Sequence, residues 1–249
     1  MRRLLEADLK RVLVKILPWV LLAAWFIFEA ISIAMNIDKS PDRDFGVLGK
    51  LVGLHSFAAT IIGFAALLGI YADEFKSMVM IGVIGRGLSR DKFVFGKFLD
   101  LCLLTILMEL ITVAYVFILK AVFGVTFLPI EYRFMFVLFV ASFLETIAYV
   151  TIAAVFYFIS ENAAVGLFAY LTFQIIIPLS LELILQLTNL AKYHAERYYV
   201  SGMMSVACSD FIMGDFAGGL GYMLMMILVY IFGALGLTIL IFRKKELEF

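Results

Sequence analysis

The chain has 249 residues, of which 64% are hydrophobic and 16% charged, and its net charge is zero at pH 7. Soluble domains hold about 45–50% apolar and about 25% charged residues, which excludes a soluble fold as the main body of the chain. The even charge balance leaves no excess basic surface for a nucleic-acid partner.

Residues 1–15 predict an amphipathic helix lying on a membrane surface. Leu5, Leu9, Val12, Leu13 and Ile16 recur at helical spacing, and Arg2, Arg3, Lys10, Arg11 and Lys15 lie around the other face. No small-residue cleavage site follows, and the next apolar stretch is too long for a signal peptide. Six apolar stretches then cover 16–36, 51–72, 98–122, 134–159, 163–187 and 220–242. Each has roughly the 20 residues that a helix needs to cross a bilayer. In lipid every backbone N–H and C=O must be satisfied within its own segment, which selects helices. The expected fold is an all-α, polytopic membrane protein with six transmembrane helices in one domain, 16–249.

One side of these spans would carry thirteen Lys and Arg residues and the other seven. The positive-inside rule places both termini in the cytoplasm of a cell-membrane protein. Arg243-Lys244-Lys245 ends the sixth span on that side. The outer loop 188–219 is too rich in aromatic and glycine residues for a solvated linker, and short helices resting at the outer interface are expected there. Cys102 and Cys208 have neither C-x-x-C nor metal-ligand spacing, and this topology puts them on opposite sides. His55 and His194 both fall near the outer face.

The segment Asp73 to Lys97 is the one cytoplasmic piece with a pattern of its own. Ser77 to Ile84 is apolar but too short to span. Gly82, Gly85 and Gly87 permit a tight turn. Ser89 is placed to cap the next helix, with Arg90, Asp91 and Lys92 in its first turn. Short apolar helix, turn and re-entry at Lys97 make a docking knob for a soluble partner. Glu74 at its base, then Gly87-Leu88-Ser89-Arg90 and Lys97, resembles the segment after the second span of ABC-2 type transporter permeases. The six-span layout, the N-terminal amphipathic helix and the long last outer loop extend that resemblance along the whole chain.

The resemblance implies the membrane subunit of an ATP-driven exporter, acting by alternating access. It would pair with a second permease copy and dock two separate ATPase subunits. Docking would fall on Glu74, on the coupling helix of Ser77, Met78, Val79, Met80, Ile81, Gly82, Val83 and Ile84, and on Arg90. ATP and magnesium would sit on the partner; no cofactor and no catalysis are expected in this chain. Consistent with that, the chain has no G-x-x-x-x-G-K-[ST], and no Ser/His/Asp or metal constellation.

Four glutamates fall inside the spans. Glu29 and Glu182 lie towards the outer ends, and Glu109 and Glu145 lie near the middle of spans three and four. A carboxylate at such a depth costs at least about 2.5–3.5 kcal/mol, and no lysine, arginine or histidine of the spans shares that depth. Either these glutamates line a polar path for a cationic or amphipathic cargo, or each makes a protonated interhelical hydrogen bond. Pro178 is expected to kink the fifth span, because its ring removes an i→i−4 bond. An amphipathic peptide is the favoured cargo, with drugs or sodium as alternatives. An ion-coupled secondary carrier is the other class of function compatible with membrane acids.

Overall fold

The computed structural model describes residues 2–35, 43–72, 79–85, 87–188 and 194–245. Among them there is no strand; the helices are α1 (Arg2–Val14), α2 (Ile16–Ala34), α3 (Arg43–Ile70), α4 (Val79–Gly85), α5 (Arg90–Phe123), α6 (Pro129–Ser160), α7 (Ala163–Leu171), α8 (Ile177–Leu187), α9 (Val200–Met213), α10 (Phe216–Met225) and α11 (Gly233–Lys244). Five helical stretches are long and apolar enough to cross a membrane, as a membrane protein requires: α2, α5, α6, α7 through α8, and α10 through α11. The second expected span falls on α3, whose described apolar part, Phe57–Ile70, is shorter than that.

Several spans begin earlier than hydropathy indicates. α5 starts at Arg90 and runs 34 residues, or about 51 Å against a hydrocarbon core of about 30 Å. Its first turns are polar, so a window that averages apolarity starts at Phe98. The start is set by Ser89, whose Oγ accepts a hydrogen bond from Lys92 N at 3.4 Å, as the sequence predicts. α6 starts at Pro129, where proline sits in the first turn and the Glu131 carboxylate accepts from Leu128 N at 2.6 Å. The fifth span is interrupted by a π-helical turn, Thr172–Ile176, just ahead of Pro178. Proline cannot donate to the Gln174 carbonyl four residues back, and the widened turn absorbs that loss. A second π-helical turn, Met226–Phe232, joins α10 to α11 without a proline.

α1 does more than rest on a surface. Val12 is buried in the main core, and the Lys15 ammonium donates to Gly69 O at 2.7 Å near the end of α3. The beginning of α2 and the end of α3 therefore lie together. At the same end, Tyr157 at the end of α6 donates to Tyr71 O, and Arg90 at the start of α5 donates to the carbonyls that end α11. Lys245 reaches the carbonyls of Phe158 and Ile159. One end of the bundle thus gathers the starts of α2 and α5 and the ends of α3, α6 and α11.

The main core is built on α3, α5 and α6, with α9 and α11 packed on α6. Across it, buried tyrosine hydroxyls donate to main-chain carbonyls of neighbouring helices. Tyr170 reaches Ala59 O at 3.1 Å and Thr60 O at 3.0 Å, and Gln174 Nε2 donates to Thr60 Oγ1 at 2.9 Å. Tyr115 reaches Phe26 O with its ring stacked 4.1 Å from that of Phe26. Gly63 makes room for Tyr170. A Cβ there would stand 2.2 Å from the tyrosine hydroxyl oxygen. The small pair Ala59 and Gly63 is therefore used inside the chain.

Gly63→Ala should destabilise the protein by about 2 kcal/mol through overpacking. Gly236→Ala, whose Cβ would meet nothing within 4 Å, should leave stability unchanged or slightly improved. Thermal unfolding of the two variants in detergent measures the contrast.

Candidate functional site

The glutamates near the middle of the spans sit on adjacent helices. Glu109 lies on α5 and Glu145 on α6, each close to the midpoint of its helix. Ser142 connects their levels: its Oγ donates to Glu109 Oε1 at 2.7 Å, and it lies one turn before Glu145. Glu109 is only 6% exposed and sits at the edge of an apolar cavity of about 410 Å³ between α5 and α6. The partner of Glu109 is thus a hydroxyl on the next helix, a residue type that carries no charge to mark it in the sequence.

Glu145 has a different setting. It is half-buried and opens on a cavity of about 400 Å³ between α3, α6 and α9, lined also by Ser142, Ser201, Ser205, Cys208 and Ser209. Among the described residues, no side chain donates a hydrogen bond to its carboxylate. The three α9 serines recur every four residues and so share one helix face. That spacing is visible in the sequence, but its meaning depends on where α9 lies.

α9 packs along α6. The Tyr199 hydroxyl, just ahead of α9, donates to Phe173 O, and the Tyr199 ring lies 6.1 Å from that of Tyr149. Tyr230 Oη donates to Tyr198 O at 2.6 Å. Phe173 lies about 15 Å along the fifth span from Ala163. The start of α9 therefore lies level with the middle of the fifth span. A single 3₁₀ turn, Ala195–Tyr198, precedes α9, and Tyr199 and Ser201 beyond it line a cavity, the setting in which irregular backbone is tolerated at depth.

Glu182 is exposed and accepts from Gln186 Nε2 at 3.4 Å. The two line a further cavity of about 390 Å³ with Pro178, Tyr199 and Ser201. Ser201 thus borders the cavities of both Glu145 and Glu182. Glu29 is buried at 2% exposure and stands apart from these cavities, near Tyr115.

At the gathered end of the bundle, α4 spans seven residues. Gly87, with a left-handed φ of 94°, turns the chain, and its N–H donates to Ile84 O at 2.9 Å. Val83 and Ile84 pack against the bundle core, while Gly82 and Gly85 are exposed. Glu74, Ser77 and Met78 lie outside the described residues, as do the side chains of Val79, Met80 and Ile81.

Arg90 is largely engaged within the chain. Its Nη1 donates to Phe242 O and Arg243 O, both at 3.0 Å, and to Lys245 O, and its guanidinium lies 5.7 Å from the Phe242 ring centre. Arg243 pairs with both oxygens of Asp91, with Nε to Oδ1 at 2.6 Å. Lys245 pairs with Glu161 at 2.8 Å, next to the last carbonyls of α6. Below this surface, Lys97 is 1% exposed, with its ammonium 5.5 Å from the Phe93 ring centre, and Asp100 is buried one turn further on. Asp100 belongs with the buried acids of the spans, three residues after Lys97 and near the start of the third apolar stretch. Both cysteines are free thiols.

No protein family matches this chain by sequence, and no curated protein does.

Ser142→Ala should destabilise the protein by about 1–3 kcal/mol, because the Glu109 carboxyl loses its donor while buried. In a Glu109→Leu background the same change should cost close to nothing. A double-mutant cycle of unfolding midpoints measures the coupling.

Proposed function

We propose that this chain is the permease subunit of an ATP-driven exporter of the ABC-2 type. In this reading α3 is a sixth span, since 28 residues of helix reach about 42 Å, enough to cross a bilayer. Six crossings would bring both chain ends to the cytoplasmic face of the cell membrane, where the basic residues concentrate. α1 would then be the interfacial helix and α4 the coupling helix on which an ATPase subunit pushes. Two permease copies and two ATPase subunits would complete the machine.

The observation that carries this reading is the polar end of the bundle. A short helix stands between α3 and α5 and presents an exposed Gly82 and Gly85, while Arg90 and Asp91 tie the start of α5 to the end of α11. A force applied to α4 would be carried into α5 and α11 together. The cavities of Glu145 and Glu182 would be the receiving end, lining a path for an amphipathic or cationic cargo, with a peptide favoured over a drug or sodium. Glu109 would bear on that path through Ser142, and Glu29 would lie apart from it.

A second reading has support of its own. The π-helical turns in the fifth and last spans, and the helix that begins at mid-bundle, are the kind of interruption found where secondary carriers hold their coupling ions. The two readings differ in their source of energy.

Gly82→Trp should abolish co-purification of an ATPase subunit expressed from a neighbouring reading frame, while leaving the permease folded. The substitution adds bulk where a Cβ meets nothing within 4 Å of the chain itself. Retained co-purification would move docking away from α4. Failure to recover any ATPase with the wild-type protein would favour the ion-coupled carrier.

A further inference from the structure

The cavity beside Glu145 has a chemistry more specific than polarity. Its polar groups are one carboxylate and four hydroxyls, from Ser142 on α6 and from Ser201, Ser205 and Ser209 on α9. No basic side chain lines it, and the rest of the wall is apolar apart from the thiol of Cys208. Such a set accepts hydrogen bonds around a single negative charge. It matches a cation that donates several hydrogen bonds and carries an apolar body.

Size and wall composition narrow the class. A single water needs roughly 10–15 Å³ of this kind of space, whereas the cavity offers about 400 Å³. That exceeds the need of a bare alkali ion and falls within the range of pockets for small organic ligands. A quaternary ammonium is ordinarily held by a cage of aromatic faces. Here one aromatic residue, Phe134, lines the wall, and the remaining groups are hydroxyl acceptors and aliphatic side chains.

We propose that the Glu145 cavity binds a primary or secondary ammonium group carried on an apolar body, with Glu145 balancing the charge and the α9 serine ladder accepting its N–H groups. This deepens the exporter reading by naming the chemical class of its cargo, and it rests on that reading for the role of the cavity in transport. Binding itself needs no ATPase, so a failure here is distinguishable from a failure to find one.

The test titrates the full chain, in nanodiscs of neutral lipid, with dansylcadaverine, an aromatic sulfonamide with a primary ammonium. Its N-acetylated form and its trimethylammonium form serve as comparisons. The primary ammonium should bind saturably, and both comparison compounds at least about tenfold more weakly, the scale of one charge-assisted hydrogen bond. Glu145→Gln should cost at least about tenfold in affinity, Ser205→Ala with Ser209→Ala several-fold, and Gly236→Ala, whose Cβ meets nothing within 4 Å, should change nothing.

Equal binding by folded Glu145→Gln, or equal binding of the trimethylammonium form, would overturn the assignment. Competitive displacement by sodium, relative to choline at equal ionic strength, would instead assign the site to an alkali ion and overturn the organic-cation class. If Glu145→Gln does not fold, Cys208 decides the matter in a Cys102→Ser chain. Its modification by a maleimide should slow when dansylcadaverine is bound and not with the acetylated form, and unchanged modification in both would overturn the proposal.

Discussion

A helix that crosses lipid has already spent its N–H groups on its own carbonyls, so little polar chemistry is left to hold one helix to the next. What remains is the second lone pair of each carbonyl. This protein uses it repeatedly. Tyr170, Tyr157, Tyr115, Tyr199 and Tyr230 each donate a phenolic proton to a carbonyl on another segment. Each such bond also satisfies a hydroxyl that would otherwise be costly in an apolar interior. The arrangement is directional in a way that leucine packing is not, because a tyrosine reaches a particular carbonyl only at one rotation of its helix. Gly63 shows the consequence for sequence, since the notch has to be there for Tyr170 to reach α3.

The same device delivers α9 to the interior. A segment of bent backbone at mid-bundle would carry exposed polar groups into an apolar region. Tyr199 and Tyr230 fasten it on either side, to Phe173 and to Tyr198. Once α9 is held at that depth, its serines stand opposite α6, and a cavity with one carboxylate results. The polar centre of the bundle therefore follows from tyrosine contacts that lie outside it. The gathered end of the bundle is organised differently, by bidentate and charge-assisted contacts among Arg90, Asp91, Arg243, Lys245 and Glu161. These suit a region where water and lipid headgroups can solvate what is left over.

Much of the fold was legible in the sequence because a bilayer imposes one coarse requirement, about 20 apolar residues in a row. α2, α5, α6, the fifth span and the last span meet it plainly. Helix starts are less legible from hydropathy, which responds to averages; the Ser89 cap marks the start of α5 in the sequence, whereas the start of α6 at Pro129 is not marked by any apolar pattern. The run Arg243 to Lys245 reads in the sequence as a stop signal for the last span. Its bonds to Asp91 and Glu161 could not be read, because they join residues far apart in sequence. The position of α9 was the largest difference. Its composition of Met, Ser, Ala, Val and Cys suits an interface as well as a bundle interior, and only the contact of Tyr199 with Phe173 separates the two. Glu109 and Glu145 were visible as anomalies from the start. Their different surroundings, a serine hydroxyl for one and an open cavity for the other, depended on which face of α6 each meets.

The clasp between the start of α5 and the end of α11 has a consequence for how the protein is made. Arg90 and Asp91 are made early in synthesis, yet their partners lie 152 to 155 residues later. Until Lys245 has left the ribosome, the Arg90 guanidinium and the last carbonyls of α6 have only water and lipid headgroups for partners. The bundle closes from its last helix, as a belt closes at its buckle.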